Sequence, residues 1–301
     1  MRKFPDKVLL SFALLLVTVL AISVACEPKE VAGGKIGVAV TILPQAEFVE
    51  SVGGDRVEVT VMVPPGANVH IYEPTPSQLA ALAEAEMYAK VGSGVEFELA
   101  WMDKLVAINR DMLVVDCSRG VELQEMIGGD EEEDGETEHG LMDPHIWMSP
   151  RNAQIMVRNI CEGLIQVDPD HKNYYEQNRD VYLQKLAELD QEIRDSLSGV
   201  TNRRFMVYHS AFGYFASEYN LVMMPIEEGG KEPTAAGLAR LIAQAKEHGI
   251  KVLFALPQFN PRSAEVIAEA IGGRVVFIDD LAKDYLTNMR HLLGELVQVM
   301  E

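Results

Sequence analysis

Thiols are scarce in this chain, which has three cysteines among 301 residues: Cys26, Cys117 and Cys161. Three are too few for a disulfide scaffold or a four-thiolate zinc centre once Cys26 is set aside below. Cys117 and Cys161 then read either as one bridge in an oxidising compartment or as two unrelated buried thiols. Basic charge is also short. Against 46 Asp and Glu stand 26 Lys and Arg, a formal net charge of −20. An excess of that sign repels nucleic acid and attracts cations, without saying which cation. Catalytic signatures are missing as well: there is no nucleophile elbow, phosphate-cradling loop or dinucleotide fingerprint, and no helix with two histidines one turn apart. Nothing among the motifs points to an enzyme. What the chain does have is 48% hydrophobic content, over a length that accommodates two ordinary domains with packed cores.

The first 25 residues combine a basic start (Arg2, Lys3, Lys7) with an apolar run from Val8 to Val24 and a small-residue exit into Cys26. That pattern reads as a signal peptide, residues 1–25, outside the fold. The run is at the lower edge of a spanning length, so an uncleaved anchor is the competing reading. Ser23-Val24-Ala25-Cys26 resembles a bacterial lipobox, in which Cys26 is acylated and becomes the mature N-terminus, although Ser23 stands where Leu is usual. Residues 26–34 then form a tether, and the protein sits outside the cytoplasm, attached to the membrane by its lipid. The removed segment carries three basic residues and one acid, Asp6, so −20 becomes −22 in the mature chain.

From Lys35 onward, short β-rich runs at 36–41, 57–63, 87–91 and 113–116 alternate with helical patterns such as 77–84 and 97–108. Alternation of this kind predicts parallel sheets covered by helices. A second series has strand candidates at 205–208, 222–226, 252–255 and 275–278. The expected fold is α/β with two Rossmann-like lobes, at 35–168 and 200–301. Between them, 169–199 carries Tyr182, Leu186, Leu189, Ile193 and Leu197 at steps of three and four, one buried stripe of a helix. A single long helix joining the lobes would be a stiff joint that disfavours large closure; two helices with a break are the alternative. Residues 128–140 include seven acids in nine positions from Asp130 to Glu138, which cannot pack and are expected to form a disordered surface loop.

Three of the seven histidines follow a strand or a turn. His70 comes after 61–63 and the turn Pro64-Pro65-Gly66-Ala67-Asn68, His145 lies in Asp143-Pro144-His145-Ile146-Trp147, and His209 ends 205–208. Asp279 follows 275–278 in the same way. Ligands collect beyond the carboxyl ends of strands in open α/β sheets, so these four are candidate metal ligands, two from each lobe. Three imidazoles with one or two oxygens fill the shell of Zn²⁺ at about 2.0–2.2 Å, leaving little room for a reactive water. Each residue also has an ordinary explanation: a histidine after a strand is often a hydrogen-bonded loop residue, and Asp279 could cap the next helix. Asp280 competes with Asp279 for either role.

At these residues the chain resembles the zinc and manganese family of solute-binding proteins that feed ABC importers. The match runs through Val40-Thr41-Ile42-Leu43-Pro44, His70-Ile71-Tyr72-Glu73-Pro74, Asp143-Pro144-His145-Ile146-Trp147-Met148, Tyr208-His209-Ser210-Ala211-Phe212-Gly213, Glu232-Pro233-Thr234 and Asp279 to Leu286. The resemblance implies two lobes joined by a long helix and one interlobe metal site at His70, His145, His209 and Asp279. It further implies zinc as cargo, since His209 stands where manganese-type members often have Glu, with Mn²⁺ or iron as the alternative. The implied partner is an ABC permease, served by a monomer. Three departures are visible: Ser210 where Asp is common, Asp280 where Pro is common, and Leu256 where Glu is frequent. The acidic run, with His139 as its one imidazole, occupies the place of a histidine- and acid-rich loop in zinc-type relatives. Two other functions compete: a secreted zinc hydrolase with Glu73 or Glu232 as general base, and a surface adhesin.

Overall fold

Runs of β-branched and apolar residues with no room for charge make strands buried on both faces, the signature of parallel sheets. The computed structural model of the chain, which describes residues 34–127, 142–228 and 230–300, contains two such sheets. The signal peptide, Cys26 and the acidic run lie outside the described residues. In the first sheet, β1 (Ile36–Val40), β2 (Val57–Val61), β3 (Met87–Lys90) and β4 (Leu113–Asp116) are parallel in the order β2-β1-β3-β4. In the second, β5 (Arg204–Val207), β6 (Val222–Pro225), β7 (Val252–Ala255) and β8 (Arg274–Phe277) repeat the plan as β6-β5-β7-β8. The strands fall within a few residues of the expected runs.

Helices α1 (Leu43–Gly53), α2 (Pro76–Ala83) and α3 (Glu96–Ile108) flank the first sheet, and α4 (Pro150–Val167) follows it. The start of α4 is set by Ser149, whose hydroxyl accepts from Asn152 N, with Pro150 at the first helical position. The joint is one continuous helix, α5 (Lys172–Leu197), of 26 residues and so about 39 Å long. Its buried stripe is Tyr175, Tyr182, Leu186, Leu189, Ile193 and Leu197. A short 3₁₀ turn, Pro169–His171, precedes it. Asp168 takes the donors of Arg56, His171 and Tyr175 there, which explains why the helix begins three residues later than Pro169. The second sheet carries α6 (Gly213–Glu218), α7 (Ala235–Glu247), α8 (Arg262–Ile271) and the last helix, α9 (Tyr285–Met300).

The two faces of the second sheet belong to different cores. Along β5, Phe205 and Val207 join a large core that also takes in Val38 and Val40 of the first sheet, Leu186 and Leu189 of α5 and Leu292 and Leu296 of α9. Met206 points the other way, into a separate cluster with Leu253, Leu241 and Ile267. A core continuous across both sheets makes everything from Ile36 onward one compact unit, and any opening of the lobes must shear close-packed side chains. Cys117 and Cys161 are both buried and free.

In each sheet the chain order reverses once, between β1 and β3 and between β5 and β7. Crevices form beyond the carboxyl ends of strands at such switch points.

Candidate metal centre

The three histidines lie in loops, and the carboxylates beside them come from loops or, for Glu96, from the first position of α3. After β2, Met62 N and Val63 N still pair with Val40 O and Thr41 O (2.9 and 3.0 Å). Pro64, Pro65 and Gly66, the last at φ 75°, then turn the chain, a conformation open to glycine at no steric cost. Asn68 Oδ1 accepts from His70 N at 2.9 Å and fixes the bend that presents His70. In the same way Asp143 Oδ1 accepts from His145 N at 2.9 Å. His209 follows β5 directly.

Each imidazole is held by a carboxylate at its Nδ1: His70 by Glu96 Oε2 at 2.9 Å, His145 by Asp143 Oδ1 at 2.7 Å and His209 by Glu227 Oε1 at 2.6 Å. A carboxylate acceptor assigns the proton to Nδ1 and leaves the lone pair on Nε2, the arrangement that orients metal-binding histidines. The three Nε2 atoms then converge, His209 to His145 at 3.2 Å and to His70 at 3.3 Å. Three lone pairs facing one another at that range need a cation between them. A tetrahedral ion about 2.0–2.1 Å from each nitrogen spaces them about 3.3–3.4 Å apart, which both distances from His209 match, and all three ligand atoms lie within 4.8 Å of one another. Among the described residues these three form the group able to hold a metal ion. His145 and His209 are buried, and the His70 side chain keeps 22% of its surface exposed, which marks the side from which an ion enters.

Neither Asp279, expected as the fourth ligand, nor its neighbour Asp280 belongs to this group of three. Asp279 Oδ1 accepts from Gln258 Nε2 at 2.5 Å and from Leu281 N at 3.0 Å, and its main-chain oxygen accepts from Asn288 Nδ2. The neighbour, Asp280, is the buried one. Its Oδ1 has no hydrogen-bond partner among the described residues. Burial pushes its carboxyl up to about 6, with His145 and His70 pulling in the opposite direction, so its charge is felt at the imidazoles. After β8, Ile278 goes into the core, Asp279 is partly exposed beside Gln258, and Asp280 is buried again. Gln258 Oε1 is a second buried acceptor without a partner.

Sequence reasoning did not identify Glu96 or Glu227, which lie 26 and 18 residues from their histidines with no spacing signal. It also missed Phe259, whose ring stacks on His209 at 4.7 Å and 27°. The departure at Ser210 is absorbed here: Glu227 supplies the carboxylate, and Ser210 N also donates to it at 3.3 Å. Leu256 is a fully buried core residue, and Gln258, two positions on, is the residue of that segment facing Asp279. Glu73 is exposed, and Glu232 accepts from Ser263 Oγ at 2.5 Å; neither is a partner of the three histidines. Gly213 packs so that a Cβ would overlap Asp143 Oδ2. Gly213→Ala is therefore expected to push Asp143 off His145 and weaken metal binding about 10- to 100-fold, the usual effect of disturbing an outer-shell partner. Chelator competition checks this, and unchanged affinity would exclude it.

The comparisons with known proteins agree with this chemistry. A family model described as zinc-uptake complex component A, periplasmic (ZnuA), matches residues 38–299. The chain is 32% identical over 256 residues to the high-affinity zinc uptake system protein ZnuA of Bacillus subtilis, covering 83% of this chain and 79% of that one. It is 29% identical over 287 residues to the zinc-binding lipoprotein AdcA of Streptococcus pneumoniae, covering 92% of this chain but only 56% of that protein's length. A crystal structure of ZnuA superposes with a TM-score of 0.83 at 39% identity, covering 89% of this chain and 100% of that one.

Proposed function

This chain belongs to the periplasmic zinc-uptake complex component A family, and from that premise we propose that it is the extracytoplasmic receptor that captures one Zn²⁺ and passes it to an ABC-type permease. His70, His145 and His209 are its nitrogen ligands and Asp280 completes the shell. The observation that carries this reading is the convergence of three Nε2 atoms at 3.2 and 3.3 Å, each imidazole backed by a carboxylate. Three nitrogens to one oxygen is a borderline-soft donor set, which favours zinc over manganese. Four protein ligands leave no open position for an activated water, and the carboxylates near the imidazoles are engaged at Nδ1, so the ion is carried and not used for catalysis. A lipid on Cys26 keeps the monomeric receptor near the permease.

Zinc titration of chelator-stripped protein is expected to show one site per chain, with Zn²⁺ displacing Mn²⁺ in competition. Binding to the native state alone stabilises the fold by about 4 kcal/mol at a thousandfold excess over Kd, about 10 °C in Tm for a chain of this size. No shift with either ion would overturn the receptor reading. Tighter retention of Mn²⁺ than Zn²⁺ would transfer it to manganese.

A further inference from the structure

Asp280 comes from the loop after β8, yet its strongest attachment is to the first lobe. Trp147 Nε1 donates to Asp280 main-chain O at 2.8 Å, and Tyr285 Oη donates to Trp147 O at 2.8 Å. Tyr285 N, the first of α9, donates to Glu47 Oε2 on α1 at 2.5 Å, and the Tyr285 ring meets Phe48 edge-on at 5.1 Å. Trp147, Tyr285 and Phe48 are all essentially without exposed surface. The same indole packs edge-on against the His145 imidazole, centroids 5.2 Å apart. One rigid side chain thus touches His145 and holds the backbone of Asp280, although 133 residues separate Trp147 from Asp280.

The geometry points to Trp147 as a positioning residue of the ion site: its indole N–H clamps the main chain of Asp280 to the first lobe and so aims the Asp280 carboxylate at the three imidazoles. The inference rests on the reading of Asp280 as a ligand. Nothing else given by the local chain forces that aim. Asp279 is tied to Gln258 and Leu281, whereas the Asp280 carboxylate has an oxygen with no partner among the described residues. An indole at this place offers the one donor needed and a large buried body that cannot move without disturbing His145. The consequence is a site in two parts: His145 and Asp280 share a single frame with Trp147, while His209, with Glu227 and Phe259, is carried by the second sheet.

The test is a double-mutant cycle on the full mature chain, read by Zn²⁺ competition and by the visible absorption of bound Co²⁺. Trp147→Phe keeps a buried ring and removes the donor. It is expected to weaken zinc about tenfold, the scale of outer-shell losses, and to alter the Co²⁺ bands, which report ligand number and geometry. In the Asp280→Asn background the same substitution should cost less than about twofold, because the group it positions is already gone. Tyr285→Phe, which frees the Trp147 carbonyl, should produce a smaller loss in the same direction and supplies the answer if Trp147→Phe does not fold. Equal losses from Trp147→Phe in both backgrounds, or an unchanged Co²⁺ spectrum, would overturn the positioning role alone. If Asp280→Asn itself leaves affinity and spectrum as in the parent, the ligand assignment falls first, and the positioning role with it.

Discussion

His145→Ala is expected to lower zinc affinity by about three orders of magnitude and to abolish the metal-dependent rise in Tm. A tetrahedral protein site is worth roughly 10–16 kcal/mol in total, so one of four ligands carries about 3–4 kcal/mol, or two to three factors of ten. His145 should lie at the upper end because it is fully buried. Glu96 and Glu227 remain committed to the other two imidazoles and are not free to replace it. The substitution also leaves the buried Asp143 with fewer partners, so the metal-free protein should lose stability as well. His70→Ala should be milder, because His70 is the half-exposed ligand and water can take its place. Competition against a fluorescent chelator distinguishes the two variants. A His145→Ala protein within tenfold of the parent would remove His145 from the ligand set.

Acidification from pH 7.5 to 5.5 is expected to weaken zinc by about two orders of magnitude. The ion binds neutral imidazole and ionised carboxylate, so each proton taken up competes with it. For His145, burial disfavours the charged form, but the hydrogen bond and charge of Asp143, aided by Asp280 and Glu96, outweigh it and raise its pKa. His209 moves oppositely: burial, with the charges of His145 and His70, overcomes Glu227 and lowers its pKa. As pH falls His145 is therefore protonated before His209, and Asp280 titrates near 6. Two groups titrating in this range, at about tenfold per pH unit each below its pKa, account for the expected loss.

The metal-free fold responds with the opposite sign. His145, raised in the folded state, contributes stability present below its unfolded value near 6.5 and lost as pH rises through its folded value. Asp280 is raised too, so the folded state holds its proton more tightly than the unfolded chain does, and stability from this group declines as pH rises from about 4 to 6. Acid thus narrows the zinc-dependent gain in Tm from both sides. Thermal melts with and without zinc across this range measure it; a gain that is constant with pH would contradict the assignment of His145 and Asp280 to the site.

Much of this fold is visible in one dimension because its causes are local. Parallel strands covered on both faces are rich in β-branched and apolar residues, and the runs at 36–41, 57–63, 252–255 and 275–278 are, with Glu58 as the one charged residue. The stripe of α5 is legible from steps of three and four, and all five of its expected positions are buried. Helix α4 was not among the expected elements, although Ser149 and Pro150 mark its start and Ala153, Met156, Val157, Ile160 and Leu164 are buried at helical steps. The histidines are legible for a different reason: His70 and His209 come shortly after a strand run and His145 in the segment Asp143-Pro144-His145-Ile146-Trp147, and loops at strand ends are where an α/β sheet places its ligands.

The choice between Asp279 and Asp280 could not be read in that way. The two residues are chemically identical and adjacent, and a one-residue step in an extended chain reverses the direction of the side chain. Burial of Ile278, the bond from Gln258 to Asp279 and the clamp of Trp147 on Asp280 distinguish the two, and the clamp comes from 133 residues away. The carboxylates on His70 and His209 belong to the same class. Glu96 and Glu227 are ordinary surface-type residues until the sheets bring β3 beside β1 and β6 beside β5.

By itself, then, the sequence determined the two sheets, the helix between them and the histidines of a cation site. These follow from short-range patterning of burial and from the residue types that metals accept. Which carboxylate faces the ion, what holds each imidazole, and how firmly the lobes are joined were decided by tertiary structure alone. Those properties depend on contacts that spacing does not announce, from Glu227 18 residues from His209 to Trp147 133 residues from Asp280, and on a single core that runs through both sheets, α5 and α9.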